Sequence, residues 1–579
     1  MLTSFSHYLQ SNRSPSEDET REIKALRANP LKEISTIDVE IEKIEGILNS
    51  LKRKRAHIQE SIDDFNTILA PIRRLSMDVL GLIFDHCLAT HRNPVMSASE
   101  APILLTQICH DWRSIALSIP RLWFRLYIPI LPRVIHYRPE ALPYPTQRDR
   151  RMEARTEEVQ RWLRLSAASP LAITLMPGSD PVSHPPLLDA IIESSRRWQQ
   201  LELGFISPES DVLTRLFSLS PDDLCMLQEL RIHSLYSMVD LHTQEDLRCR
   251  SGLLNAQGLR SISIADMYQT NGFLTRIPPN WKNLNHLFIH SPILLRYAHP
   301  MLTYCCNLVA CLLQITLEWG ESTIHDASVT LSSCILPHLT FLSLQGDRIG
   351  CSQLFSSIEA PSLQILDFQG TFPSESEDFG LLNFLQNINC LETLRVDHVH
   401  LTESNVLKYY TLIPSVTHLV LGRSPKRSYA YMHFPFHSSH AYPEPEQVPG
   451  SFITTLHEFR HQYSPDSAPT LLFPSLEILE AYDTLGVTDT TLLEFIKARI
   501  DATKSNAVVS KLKKVLVEFS GTRQTDIVPE ALAYAQAAGI DLELDLTYHS
   551  TGHELDATWS PSFGLSPDDV SWAYPLYNY

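Results

Sequence analysis

His433, His437 and His440 lie four and three residues apart in this 579-residue sequence, a spacing at which imidazoles could share a metal ion. Pro435 interrupts any helix through them and no cysteine stands beside them, so the stretch reads as a solvated loop. Cys305, Cys306 and Cys311 form neither a CxxC knuckle nor a paired framework, and read as reduced thiols packed as small apolar side chains. A GxSxG elbow, a phosphate-binding loop, a GxGxxG turn opening a helix and an HExxH helix are all missing from the sequence. Scattered Ser, His and Asp carry no triad information without geometry. No catalytic residue, metal or cofactor is therefore expected. The chemistry these residues offer is non-covalent: apolar faces that need a cover, and polar rows that a partner could touch.

The sharpest apolar face is in "APIRRLSMDVLGLIFDHCL", residues 70–88. Spacing by three and four groups Val79, Leu80, Ile83, Phe84 and Leu88 on one wide helical face, with Leu75 and Met77 adding surface before it. Ser76 is placed to cap that helix, with Asp78 near the positive end of its dipole. Farther on, Ile108, Trp112 and Ile115 or Ala116 share a second helical face; Pro120 stops it, and Leu122, Trp123 and Leu126 form a short apolar hook.

The flanking elements follow from periodicity. Residues 1–33 are polar and contain Pro15 and Pro30, and are expected to be disordered. Over 34–69, Ile34, Ile37, Ile41, Ile44, Leu48, Leu51, Arg55, Ile58, Ile62, Phe65 and Leu69 alternate steps of three and four. That is a heptad helix needing a partner, either a second copy in a homodimer or its own domain. Its Lys52-Arg53-Lys54-Arg55 run reads first as a solvated face and second as a nuclear address. Residues 128–159, rich in proline, read as a linker.

From about residue 160 a template LxxLxL repeats, as "WQQLEL" at 198, "LQELRI" at 227, "LRSISI" at 259 and "LNHLFI" at 284. It continues as "LTFLSL" at 339, "LQILDF" at 363, "LETLRV" at 391, "VTHLVL" at 416, "LEILEA" at 476 and "LKKVLV" at 512, with a weaker "LVACLL" at 308. Most starts are 24 to 36 residues apart, which suits one short strand and one helix per repeat. One step of 60 marks an insertion at 423–470, either closing over the repeats or hanging free; residues 549–579 read as a C-terminal tail. The leucines turn inward and the residues between them line one continuous face of a parallel sheet. Candidate protein-binding residues on that face are Arg231, His233, Phe288, His290, Gln345, Asp367, Gln369, Arg395, Asp397, Glu480 and Tyr482.

With 48 Lys+Arg against 66 Asp+Glu the net charge is −18, which argues against wholesale nucleic-acid binding. No apolar run reaches the ~18 residues of a spanning helix, and no signal-peptide core opens the chain. A cytoplasmic or nuclear protein without a membrane partner is expected.

Residues 70–127 resemble an F-box domain, in the form seen among fungal proteins with an N-terminal coil and C-terminal leucine-rich repeats. Leu75, Val79, Leu80, Ile83 and Phe84 fit the family's first motif, with Asp78 in place of its glutamate and Ser76 in place of its proline. Cys109, Trp112, Ala116, Trp123 and the Pro120-Arg121-Leu122 segment fit the second. The resemblance implies an α/β chain: a helical coil, a small helical F-box, then a leucine-rich-repeat solenoid with a curved parallel sheet over 160–548. It further implies docking on the SKP-family adaptor, and through it a cullin, of an SCF-type cullin-RING ubiquitin ligase, with the repeats holding a protein substrate. Adaptor-binding side chains would be Leu75, Met77, Val79, Leu80, Ile83, Phe84, Trp112 and Trp123. The other reading is a non-catalytic leucine-rich-repeat scaffold that does not engage the ubiquitin machinery.

Overall fold

A computed structural model of the protein describes residues 5–10, 13–90, 92–129, 147–176, 185–204, 211–233, 251–265, 277–316, 331–346, 348–370, 380–396, 411–422, 448–449, 472–485, 487–505, 509–519 and 522–548. The chain is α/β, with a long N-terminal helix and a large parallel sheet compatible with a solenoid. It divides into two compact units, residues 1–83 and 84–579. Among the described residues no helix is long and apolar enough to cross a membrane.

The first unit is dominated by α1 (Glu17–Leu69). Residues 17–33, expected to be disordered, are helical, and the reason is the start signal. Ser16 accepts a hydrogen bond from the Glu19 amide at 3.3 Å while the Glu19 carboxylate accepts one from the Ser16 amide at 2.8 Å. This reciprocal cap satisfies two orphan donors, and Glu17, Asp18 and Glu19 sit on the positive end of the dipole. Pro30 lies inside the helix and forfeits one backbone bond there. No residue of α1 is buried. The unit ends within α2 (Met77–His86).

In the second unit, α3 (Leu105–Ile108) and α4 (His110–Ser118) lead directly into the sheet. Its fourteen-strand path runs in chain order: β1 (Arg125–Pro129), β2 (Leu171–Met176), β3 (Trp198–Leu203), β4 (Glu229–His233), β5 (Ser261–Ala265), β6 (His286–Leu294) and β7 (Ala310–Thr316). It continues with β8 (Phe341–Gly346), β9 (Ile365–Gly370), β10 (Thr393–Val396), β11 (His418–Leu421), β12 (Ile478–Leu485), β13 (Lys514–Phe519) and β14 (Glu543–Tyr548). A fifteenth strand, Val448–Pro449, pairs with β12. Every pairing among the described strands of the sheet is parallel, a geometry that needs a crossover connection between successive strands.

The template positions explain the sheet. In all eleven copies its first, fourth and sixth residues are buried, none more than 4% exposed. The fourth-position residues of neighbours align as Leu201, Leu230, Ile262, Leu287 and Cys311, and then Leu342, Leu366, Leu394, Leu419, Leu479 and Val515. Each strand thus hides its apolar set only by stacking on the next.

The sheet begins earlier than residue 160. β1 lies inside the segment read as the end of the small helical domain, and pairs with β2. The expected linker 128–159 is not one throughout: α5 (Gln147–Leu165) buries Met152, Thr156, Val159 and Trp162. Its stripe is narrow on an otherwise arginine- and glutamate-rich helix, and the prolines before it dominate the local composition. Asn93 ties residues 84–128 to the sheet edge, donating to the Thr174 hydroxyl at 2.9 Å and the Ala172 carbonyl at 3.2 Å. Arg125 in turn donates to Asn93, Ala89 and Arg92. Cys305, Cys311 and Cys334 are buried in this unit, and burial pushes the Cys305 thiol up to about 12.

Candidate functional site

Two surfaces emerge from this frame. The first is on α2. The Ser76 hydroxyl accepts from the Val79 amide at 3.4 Å, a long cap that still faces an orphan donor at the helix start. The helix carries two apolar stripes rather than one wide face. Leu80, Phe84 and Leu88, spaced by four, are 7%, 0% and 9% exposed. Leu75, Val79 and Leu82, spaced by four and three, stay open at 36%, 41% and 54%, with Met77 at 61%. Ile83 is half-buried between the stripes.

This arrangement corrects the expected adaptor-binding set. Phe84 is enclosed in the second unit, its ring 4.9 Å from that of Trp112, which is itself half-buried. Trp123 is 4% exposed; its indole N–H donates to the Ala116 carbonyl at 2.8 Å and its ring meets Trp162 edge-on at 4.8 Å. Leu80 is buried as well. Aromatic bulk with one polar handle is best used inside, where both are satisfied. Leu80, Phe84 and Trp123 therefore belong to the core, and Leu75, Met77 and Val79 remain as surface. Leu82 lies outside the expected set, which drew one wide face through Val79, Leu80, Ile83, Phe84 and Leu88. The step from Val79 to Leu82, three residues, was the available signal.

The second surface is the non-leucine face of the sheet. Strand register aligns one row across it: Tyr127, Thr174, Glu202, Arg231, Ser263, Phe288 and Leu312, then Ser343, Asp367, Arg395, Val420, Glu480, Leu516 and Asp545. Arg231, Phe288, Asp367, Arg395 and Glu480 of the expected set fall on this row. His290, Gln345, Gln369 and Tyr482 lie two residues farther along their strands. The side chain of His233, on β4, and all of Asp397 lie outside the described residues, as do His433, His437 and His440.

The row has three characters. Near its start it is paired and polar: Thr174 donates to Glu202 at 2.8 Å, and Arg231 meets Glu229 at 2.5 Å. At its centre it is apolar, with Phe288, Ala310, Leu312 and Phe341 forming a buried cluster against which Ile365 packs. Phe288 is 5% exposed, so it is a structural residue and not the open contact expected of it. Leu312 stands beside it in the row, and Phe341, on the same outward face two residues before Ser343, completes the cluster.

Beyond the centre the row is charged. Glu480 accepts from the His418 ring at 3.2 Å and from the Tyr482 hydroxyl at 2.8 Å. The His418 bond, the Tyr482 bond and the charge of Arg395 outweigh desolvation and hold the Glu480 carboxyl down at about 2. Asp367, 6% exposed, accepts from the Gln369 amide at 3.2 Å. His418, absent from the expected set, is the residue that organises this end; it precedes Leu419 in "VTHLVL", an outward position in every copy. The row thus fixes donors and charges on one outward face, where the Ser263 hydroxyl and the His290 ring also lie 3.3 Å apart. No family model and no curated protein matches the chain.

Proposed function

We propose that the protein is the substrate-recognition subunit of an SCF-type cullin-RING ubiquitin ligase. In this reading residues 70–127 are an F-box that docks on the SKP-family adaptor, and the repeats are leucine-rich repeats whose outward row holds a protein substrate. The observation that carries it is the open stripe of α2. Four apolar side chains, Leu75, Met77, Val79 and Leu82, stay exposed on and just before one short helix whose other stripe is committed to the interior. Each has roughly half its surface left to bury, so each contributes on the order of 1 kcal/mol to a docking contact. The motif residues quoted above support the same assignment, and the polar row supports a protein partner. The mechanism is proximity: a tethered substrate is raised in effective concentration near a charged ubiquitin carrier, and no bond chemistry falls to this chain.

Affinity purification of the full chain tests this. The wild type should bring the adaptor and cullin with it, and Leu82→Asp should lose both while keeping the wild-type melting curve. Recovery of wild-type protein without adaptor, where control F-box proteins retain theirs, overturns the reading and leaves the scaffold.

A further inference from the structure

We propose that the seam of α1 is the interface of an antiparallel homodimer, two copies of residues 34–69 running head to tail. The ten apolar seam positions between Ile34 and Leu69 are each 44–64% exposed, and no residue of the helix is buried. At on the order of 80 Å² apiece they supply the ~800 Å² per partner of a standard interface.

Direction is decided by the flanking charges. With Ile34 at a and Ile37 at d, the e positions are Asp38, Glu45, Lys52 and Gln59, and the g positions begin with Glu33 and Glu40. A parallel pair joins each g to the e five residues on in the second copy. That sets Glu33 against Asp38 and Glu40 against Glu45, with no opposite-charge pair to offset them, and stacks Arg55 on its own copy. An antiparallel pair that mates Ile34 through Phe65 matches residues whose numbers sum to 99. Leu48 meets Leu51, and Arg55 meets Ile44 with Glu45 of the second copy beside it. The e positions then pair Glu45 with Lys52 twice and Asp38 with Gln59, and no like charges meet. The only charged seam residue is thereby given a counter-ion instead of a like charge. Leu69, the last helical residue, then lies opposite Pro30 and outside the mated layers.

Sedimentation velocity on the full chain, as a concentration series, tests both the dimer and its direction. Glu45→Lys and Lys52→Glu should each weaken the dimer about tenfold, since each converts two attractive pairs to repulsive ones, and the double swap should restore it. A mixture of Ile37→Cys and Ile62→Cys chains should yield a disulfide between positions 37 and 62, read by peptide mapping. A monomer at every accessible concentration overturns the proposal. So does tightening by Glu45→Lys, or a 37-to-37 disulfide, both of which a parallel pair demands. None of these outcomes depends on the ligase reading.

Discussion

Glu480 offers a measurement of how firmly the charged end of the row is pre-organised. Its carboxyl is held at about 2 against an ordinary 4.5, chiefly by the His418 hydrogen bond and then by Tyr482 and Arg395. A depressed carboxylate stabilises the folded state above its unfolded pKa and loses that contribution as pH falls toward the folded value. That lowering sets an upper limit of ~3 kcal/mol on the carboxylate's contribution. The Glu480 and His418 side chains are 24% and 22% exposed, so solvent screening reduces this to about 1–2 kcal/mol. Glu480→Gln keeps the shape and removes the ionisation. Urea unfolding of wild type and variant at pH 7 should differ by that amount, and most of the difference should be gone at pH 3, between the two pKa values. An equal difference at both pH values would assign the effect to packing, and no difference at pH 7 would remove the cluster's electrostatic role altogether.

Three further outcomes follow from burial. Phe84→Ala should cost about 3–5 kcal/mol in thermal or urea unfolding, whereas Leu82→Ala should stay within about 0.5 kcal/mol. Arg499, 1% exposed on the helix Asp489–Ser505, donates to the Leu472, Phe473 and Leu476 carbonyls at 3.1, 3.0 and 3.4 Å. Desolvation lowers its pKa to about 10, so relief of that cost partly offsets the orphaned carbonyls, and Arg499→Met should destabilise by a net ~1–3 kcal/mol. A variant as stable as wild type would show that the carbonyls find water instead.

The sheet was legible because its signal is redundant. Eleven copies of one template each place three buried residues, and a parallel array is the arrangement that lets short units hide them together. What was not legible had competing local signals. Pro30 suggested a boundary that the Ser16–Glu19 cap overrides, and the prolines after Pro129 obscured the stripe Met152, Val159, Trp162. For the candidate sites, alternation along a strand identifies the outward positions but not their fate. Phe288 and Glu480 share one register row, yet the first is enclosed by Leu312 and Phe341 while the second is wired to His418, a residue on a copy distant in sequence. On α2, a sequence window shows how apolar the helix is, and only the packing of Phe84 on Trp112 shows which stripe is spent.

The central claim is that the open stripe of α2 exists to be covered by the ligase adaptor. Its most direct test is the equilibrium affinity of the purified full chain for purified adaptor, for wild type, Leu82→Ser and Ile335→Ser, the last an equally exposed apolar residue elsewhere at 59%. The account predicts that Leu82→Ser weakens binding about tenfold while Ile335→Ser changes nothing. Equal affinity for all three, or no measurable binding by wild type, would contradict it.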